Sequence, residues 1–367
     1  MRPHSTSRLI PLHRLGSVLI VALSMALLFS GCGSSADQTT EKGSTTAQQE
    51  AKTKSYFIFD TIVTVKIYDS RANDQDFEQI NSLMKDIESE MSRTLETSEL
   101  YKLNAQAGKG PVQVSKPLYQ VIETSLDYAA RTHGRFDPSI GPLVNMWNIG
   151  HDDARVPAKT EIDTGLKLLG YDKVKLDKSN MTVSLEKDMV LDLGGIGKGY
   201  AADVIADYVR DQGYKSAIID LGGNIYAVGQ KPSGMDWTIG VQDPNESRGN
   251  QIGRMKVADK TIVTSGVYER YFVKDGKHYH HILDSKTGYP VVNNLNSVTI
   301  VTDRSTDADA LSTSAFSLGL QEGMAFIESK TEAEAIFITT DQKVYCSSGI
   351  KKYFELTNEA YQFAELK

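Results

Sequence analysis

Cysteine is almost absent from this chain: Cys32 and Cys346 are the two in 367 residues. A disulfide framework and a cysteine metal cluster are therefore excluded. Positive charge is also short. The formal net charge is −7, and it becomes −10 when Arg2, Arg8 and Arg14 of the first segment are set aside. No basic patch interrupts this balance, which excludes nucleic acid as a partner. A Walker A loop is missing too, because no Gly-Lys-Ser/Thr triplet follows the required spacer. Long apolar runs are confined to Val18–Phe29, which is too short to span a membrane comfortably.

That run follows three arginines and ends at Phe29-Ser30-Gly31-Cys32. The tetrapeptide resembles a bacterial lipobox, with Phe29 where Leu is more usual. Residues 1–31 then read as a lipoprotein signal peptide and Cys32 as the lipidated N-terminus. An ordinary signal peptide with a chance cysteine is the alternative reading. Gly33–Lys54 is rich in Ser, Thr, Gln, Ala and Gly. Residues 32–54 read as a flexible tether that holds a folded region, 55–367, off a membrane surface. The expected location is the extracytoplasmic face of the cell membrane, through the lipid anchor.

Periodicity orders the folded region. Ser55–Tyr68 reads as a strand. Asp74–Met91 carries Phe77, Ile80, Leu83, Met84, Ile87 and Met91 on one helical face. Ser115–Arg131 is a second helix, with Ser115 as cap, and Thr160–Leu169 a third, stopped by Gly170. Thr132–Trp147 reads as a long loop with aromatics that either stack on a flat ligand ring or plug a core gap. From Lys173 to Val301 short strands dominate, Val190–Leu193 among them. Their hairpin-like spacing favours antiparallel pairing over a doubly wound parallel sheet. Asp307–Ile327 is the last long helix. The fold class is α+β, with two lobes around antiparallel sheets and a ligand cleft between them.

Leu191–Asp203, LDLGGIGKGYAAD, is the most informative segment. Gly194, Gly195, Gly197 and Gly199 surround Lys198, and a helix pattern starts at once. A glycine turn at a helix N-terminus lets backbone approach a phosphate and favours anions. Gly197–Ala202 also fits the outline of a dinucleotide fingerprint, and a tight turn without ligand stays possible. Asp-Leu-Gly-Gly recurs at Asp220–Gly223, as if two similar corners faced one cleft. Tyr279-His280-His281 offers a general base, and strand alternation lets only one histidine face a given site. Asp309 and Thr313 are i and i+4 on a helix. There a carboxylate and a hydroxyl either share a Mg²⁺ or only stabilise the helix terminus.

Together these segments resemble the ApbE family, the FAD:protein FMN transferases. The matching pieces are Phe59-Asp60-Thr61, Ser98-Glu99-Leu100 with Asn104, Gly134–Trp147, Leu191–Asp203, Asp220–Gly223, Thr264-Ser265-Gly266, His281–Gly288 and Ala308–Gly319. The resemblance implies a T-fold-like core and a Mg²⁺-dependent enzyme. Such an enzyme moves the FMN half of FAD onto a Ser or Thr hydroxyl of an acceptor protein and releases AMP. Phe59, Asp137, Asp192, Lys198 and Leu283 would line the FAD site, with Phe59 where the family often has Met. The main-chain carbonyl of Gly195, with Asp309 and Thr313, would bind Mg²⁺. Ser312 stands where some members place a further metal ligand. His281, rather than His280, matches the histidine proposed to be catalytic. The implied partner is an exported or membrane protein bearing the target hydroxyl. Two other classes fit the same residues: a lipoprotein that holds FAD as electron carrier or reserve, and a Mg²⁺-dependent FAD pyrophosphatase.

Overall fold

The computed structural model describes residues 50–330 and 332–366. The signal segment, Cys32 and the tether up to residue 49 lie outside the described residues. The first strand begins at Lys52 rather than at the expected Ser55. Among the described residues no helix is long and apolar enough to cross a membrane.

In chain order the elements are β1 (Lys52–Ile58), β2 (Thr61–Ile67), α1 (Asp74–Met91), α2 (Glu99–Ala105), β3 (Val112–Gln113) and α3 (Lys116–Arg131). Next come α4 (Gly141–Trp147), α5 (Lys159–Lys167), β4 (Lys175–Asp177), β5 (Thr182–Ser184), α6 (Gly197–Asp211), β6 (Ser216–Leu221) and β7 (Asn224–Gly229). Then follow β8 (Trp237–Gln242), β9 (Gln251–Val257), β10 (Lys260–Gly266), β11 (Tyr271–Lys274), β12 (Lys277–His280) and β13 (Leu295–Thr302). The chain closes with α7 (Ser305–Leu318), α8 (Leu320–Lys330), β14 (Glu334–Thr339), β15 (Lys343–Cys346), β16 (Phe354–Leu356) and β17 (Gln362–Phe363).

A nine-stranded sheet in the order β1-β2-β6-β7-β10-β13-β14-β15-β17 forms the centre. Only β15 and β17 pair in parallel; the other neighbours are antiparallel, as the hairpin spacing requires. This rules out the dinucleotide-fingerprint fold, which needs a parallel sheet and crossover helices. Side chains alternate across the sheet. Val298 and Ile300 of β13 join Phe77, Ile80, Leu118, Ile205 and Phe316 under the helices. Val301, Ile262 and Ile336 point the other way and pack on Trp237, Ile252 and Met255 of a small sheet ordered β16-β9-β8. A third, separate core of Leu143, Trp147, Ile162, Leu169 and Leu283 joins α4 and α5. Phe272 and Tyr279 of the β11–β12 hairpin pack against it.

Four elements differ from the sequence expectation. Ser55–Tyr68 is a hairpin, not one strand: β1 and β2 pair from Lys52↔Ile67 to Ile58↔Thr61. Its turn is Phe59-Asp60, with φ of 56° and 55°. Two left-handed residues make the tight turn that a twisted hairpin needs, but no Asn-Gly marks it. In Val190–Leu193, Leu191 and Leu193 are buried and the other two half-buried, yet the run pairs with no strand. The Asn104 side chain accepts from Leu191 N–H at 2.8 Å and donates to Leu191 C=O at 3.0 Å, in place of a neighbouring strand. The expected loop before Trp147 contains α4, and Trp147 is a core residue whose Nε1–H donates to Gly288 C=O at 2.8 Å. The last long helix breaks at Gly319 (φ 81°) into α7 and α8.

The junction of α6 and α7 sets up the site. A Cβ at Gly199 would sit 2.1 Å from Ser305 C=O, so the two helices approach this closely only because residue 199 has no side chain. From α6, Asp203 accepts the N–H groups of Ser305 at 2.8 Å and Thr306 at 2.9 Å, capping α7 from outside. Burial pushes the Asp203 carboxyl above its ordinary range, while these hydrogen bonds oppose the rise.

Candidate active site

A cavity of about 540 Å³ lies among the β1–β2 turn, the C-terminal end of α1, the segment before α4, the glycine turn before α6, and α7. Phe59, Asp137, Asp192, Gly195, Lys198, His281, Leu283, Asp309 and Thr313 all line it. Nine of the ten side chains and backbone positions singled out inside the folded region therefore meet in one place. The two Asp-Leu-Gly-Gly corners also share this cavity, through Asp192–Gly195 and Leu221-Gly222.

Ser312 is the exception. It is fully buried; its hydroxyl donates to Asp309 C=O at 2.9 Å and lies 2.8 Å from Ser265 Oγ. Residue 312 is i+3 from Asp309, but it is not among the residues that line the cavity, and its hydroxyl is engaged within the protein. Its link to the cavity runs through Ser265, whose hydroxyl touches both Ser312 and Thr313.

Asp309 is buried on α7. Its Oδ2 accepts Gly199 N–H at 2.9 Å, and its Oδ1 stands 4.0 Å from Lys198 Nζ. One turn on, Thr313 Oγ1 lies 3.4 Å from Ser265 Oγ. The same oxygen would be 3.5 Å from a Cβ on Gly195, so the glycine turn passes directly over Thr313. One carboxylate, one hydroxyl and a neighbouring peptide form an all-oxygen set. Among the described residues no group of three or more His, Cys, Asp or Glu side chains is placed to hold a metal. A sparse hard-oxygen set fits Mg²⁺, which usually takes one or two carboxylates and keeps several waters. It does not fit zinc.

His281 lines the same cavity. Its Nδ1 is 3.2 Å from Arg270 C=O, and its own N–H donates to that carbonyl at 3.1 Å. A carbonyl only accepts, so Nδ1 carries the proton and Nε2 keeps its lone pair. Burial, with the Arg270 and Lys198 charges behind it, pushes the imidazole down to about 3. His281 is thus neutral at physiological pH, with the Nε2 lone pair available as an acceptor. His280 differs in kind: it is buried, Nε2–H donates to Val291 C=O at 3.0 Å, and Nδ1 accepts Ile282 N–H at 3.3 Å. Both ring nitrogens are satisfied, so His280 is a structural core residue rather than a surface feature.

The glycine turn is a weaker phosphate cradle than its sequence suggests. Gly194 N–H donates to Asp192 Oδ1 at 2.8 Å, Gly197 N–H to Leu193 C=O at 2.8 Å, and Gly199 N–H to Asp309. Three of the four glycine amides are already occupied within the protein. Asp192 is further tied by Arg93 Nε at 2.7 Å. Asp137 caps the turn at Pro138–Ile140, accepting from Ser139 N–H at 2.8 Å and Ser139 Oγ at 2.7 Å. Burial pushes the Asp137 carboxyl above its ordinary range.

Sequence reasoning missed the cationic wall: Arg93, Arg135, Arg248 and Arg270 line the cavity with Lys198. Arg135 pairs with Asp284 at 3.1 Å and Arg248 with Glu269 at 3.0 Å, while Arg270 donates to Asp60 C=O at 3.3 Å. Arg135 lies in the Gly134–Trp147 segment, but Arg93, Arg248 and Arg270 sit in no recognisable local pattern. Only the fold gathers them.

This antiparallel architecture, with an acid–hydroxyl face on a buried helix and a neutral histidine in the same cavity, defines the class. The family model "ApbE family" matches residues 59–337, and the chain belongs to that family. Among its relatives is a FAD:protein FMN transferase of Klebsiella pneumoniae, 37% identical over 77% of this chain and 88% of the relative. Another is the FAD:protein FMN transferase of Treponema pallidum, 36% identical over 80% of this chain and 86% of the relative. Among solved structures, the ApbE protein of Thermotoga maritima superposes with a TM-score of 0.77 at 32% identity, covering 82% of this chain and 98% of its own. The flavin transferase ApbE of Vibrio cholerae gives 0.74 at 28% identity, over 83% and 99%.

Proposed function

We propose that this chain transfers the FMN moiety of FAD to a Ser or Thr hydroxyl of an acceptor protein and releases AMP. One observation carries the reading: a neutral histidine with a free Nε2 faces the same cavity as Asp309 and Thr313. The step balances simply. The acceptor oxygen bonds to the flavin-side phosphorus, the phosphorus–oxygen bond to AMP breaks, and the hydroxyl proton passes to His281 Nε2. A general base held this way contributes on the order of 10²–10⁴-fold.

Phe59, Asp137, Asp192, Lys198 and Leu283 wall the FAD. Lys198 supplies the positive charge nearest the α7 acid. The Phe59-Asp60 turn, held in left-handed backbone, lines the cavity. Mg²⁺, held by Asp309, Thr313 and the Gly195 carbonyl, would neutralise the pyrophosphate charge. We further propose that Cys32 is lipidated, which keeps the enzyme on the extracytoplasmic membrane face beside exported acceptors.

The test is incubation of the purified chain with FAD, Mg²⁺ and candidate exported proteins, followed by in-gel flavin fluorescence. A covalently fluorescent acceptor band is expected. FAD split to FMN and AMP with every candidate unlabelled would favour a pyrophosphatase; FAD left intact would favour a flavin carrier. Cys32→Ala should move the protein from the membrane fraction to the soluble fraction, and retention at the membrane would refute the anchor.

A further inference from the structure

The occupied glycine amides leave a question of chemistry: which groups besides Lys198 donate to the phosphoryl oxygens of the ligand. Asn224 opens β7, directly after the Gly222-Gly223 turn, and pairs with Leu221 across that hairpin. It lines the cavity and is 3% exposed. Its Oδ1 accepts Ser305 Oγ–H at 2.8 Å, which fixes the amide orientation. Thr261 Oγ1, 3.0 Å from Ser305 Oγ, holds that serine in turn. The Asn224 Nδ2 is buried and has no hydrogen-bond partner. Buried amide donors are almost always paired, so an orphan in a cavity wall marks a place where a ligand supplies the acceptor.

Its position says which part of the ligand. Ser305 is one helical turn before Asp309 on α7, so the amide stands at the Asp309 end of the Asp309–Thr313 face. Lys198, 4.0 Å from Asp309, reaches the same end. An anionic, acceptor-only group suits a cation and an orphan N–H₂ together. We infer that Asn224 is a further binding residue, donating through Nδ2 to a phosphoryl oxygen of the dinucleotide. This rests on the FAD reading of the cavity.

Two variants test it from different directions. Asn224→Asp keeps an acceptor for Ser305 but removes the donor and adds a charge that repels phosphate. Asn224→Leu keeps the branched shape but removes both the orphan donor and the acceptor for Ser305. FAD affinity is measured by flavin fluorescence quenching, with riboflavin (no phosphate) and inorganic pyrophosphate as separate probes, and folding by the melting temperature without ligand. The expected result is a loss of tenfold or more in FAD and pyrophosphate affinity in both variants, with riboflavin affinity unchanged. Asn224→Leu also takes the acceptor from the buried Ser305 hydroxyl, so its ligand-free melting temperature serves as its own reference, and from that reference it should lose most of the FAD-induced rise. Native-like FAD and pyrophosphate binding by either folded variant overturns the assignment, as does an equal loss for riboflavin. Pyrophosphate binding that depends on Asn224 in a chain that does not bind FAD would instead retain this assignment and refute the flavin reading.

Discussion

Asp309 has two duties, and they separate by substitution. Its carboxylate faces the cavity and also accepts the buried Gly199 N–H. Asp309→Ala removes both, leaving an orphan donor that costs about 1–3 kcal/mol. Asp309→Asn keeps an acceptor for Gly199, so it should melt close to the native chain while losing Mg²⁺-dependent transfer. Full Mg²⁺-dependent activity in the folded Asn variant would remove Asp309 from the metal site. The two histidines divide in the same way. His281→Ala should bind FAD but transfer FMN on the order of 10²-fold or more slowly. Because its folded pKa lies near 3, the native rate should show no acid limb around pH 6.5; a limb there would mean that His281 titrates in the ordinary range. His280 is held neutral by burial, pushed down to about 4. The unfolded chain then binds this proton more readily than the folded one. His280's share of stability is full above about pH 6.5 and is lost as pH falls toward 4, roughly 3 kcal/mol across that window. Replacing His280 by Phe should flatten that part of the stability curve, as measured by denaturant midpoints between pH 4 and 7. An unchanged slope would show that His280 does not titrate with unfolding.

Helices with a single apolar face were readable from sequence: α1 matches Asp74–Met91, and Ser115 caps α3 through Leu118 N–H. Elements whose backbone partners are side chains were not. The run Val190–Leu193 looks like a strand because it is mostly apolar, but its backbone partners are the Asn104 side chain of α2, at Leu191, and Pro138 C=O, at Asp192. The β1–β2 hairpin was hidden because Phe and Asp, rather than Asn-Gly, occupy its left-handed turn. Gly199 shows the reverse case, a glycine read as a phosphate contact whose observed role is to let α6 touch α7. Gly199→Ala would place a Cβ 2.1 Å from Ser305 C=O and 2.8 Å from Asp309 Cβ. Backbone on one side and a capped helix on the other leave little room to adjust. The expected cost is about 3 kcal/mol, the upper end of ordinary overpacking, with weakened metal dependence as Asp309 shifts. By contrast, Gly197→Ala meets nothing within 4 Å and should be nearly neutral in both respects. Equal melting temperatures for the two variants would contradict the close helix approach.

At the scale of the molecule, antiparallel pairing and the cleft were legible, because hairpin spacing is a local signal and the motif segments recur in family order. The cationic wall and the strands after residue 327 were not, since their places depend on contacts distant in sequence. The boundary of the folded part is another such case. A polar composition continues through Lys54, yet Lys52, Thr53 and Lys54 pair with Ile67, Lys66 and Val65 of β2. Pairing, not hydrophobicity, draws these residues into the sheet. A fragment starting at Glu50 should therefore bind FAD and melt like the full chain. One starting at Ser55 loses three cross-strand pairs, each contributing roughly 0.2–1 kcal/mol, and should melt a few degrees lower. It should still bind FAD, because Tyr56 Oη–H donates to Phe77 C=O at 2.9 Å and keeps the rest of β1 on α1. The Phe59-Asp60 turn then stays in the cavity wall. Thermal melts and FAD titrations of the two fragments decide the matter. If the Ser55 fragment binds no FAD, the strand's first residues hold the turn in place and the site extends to the start of β1; if it melts with the Glu50 fragment, the observed pairing adds nothing and the fold begins where composition alone suggests.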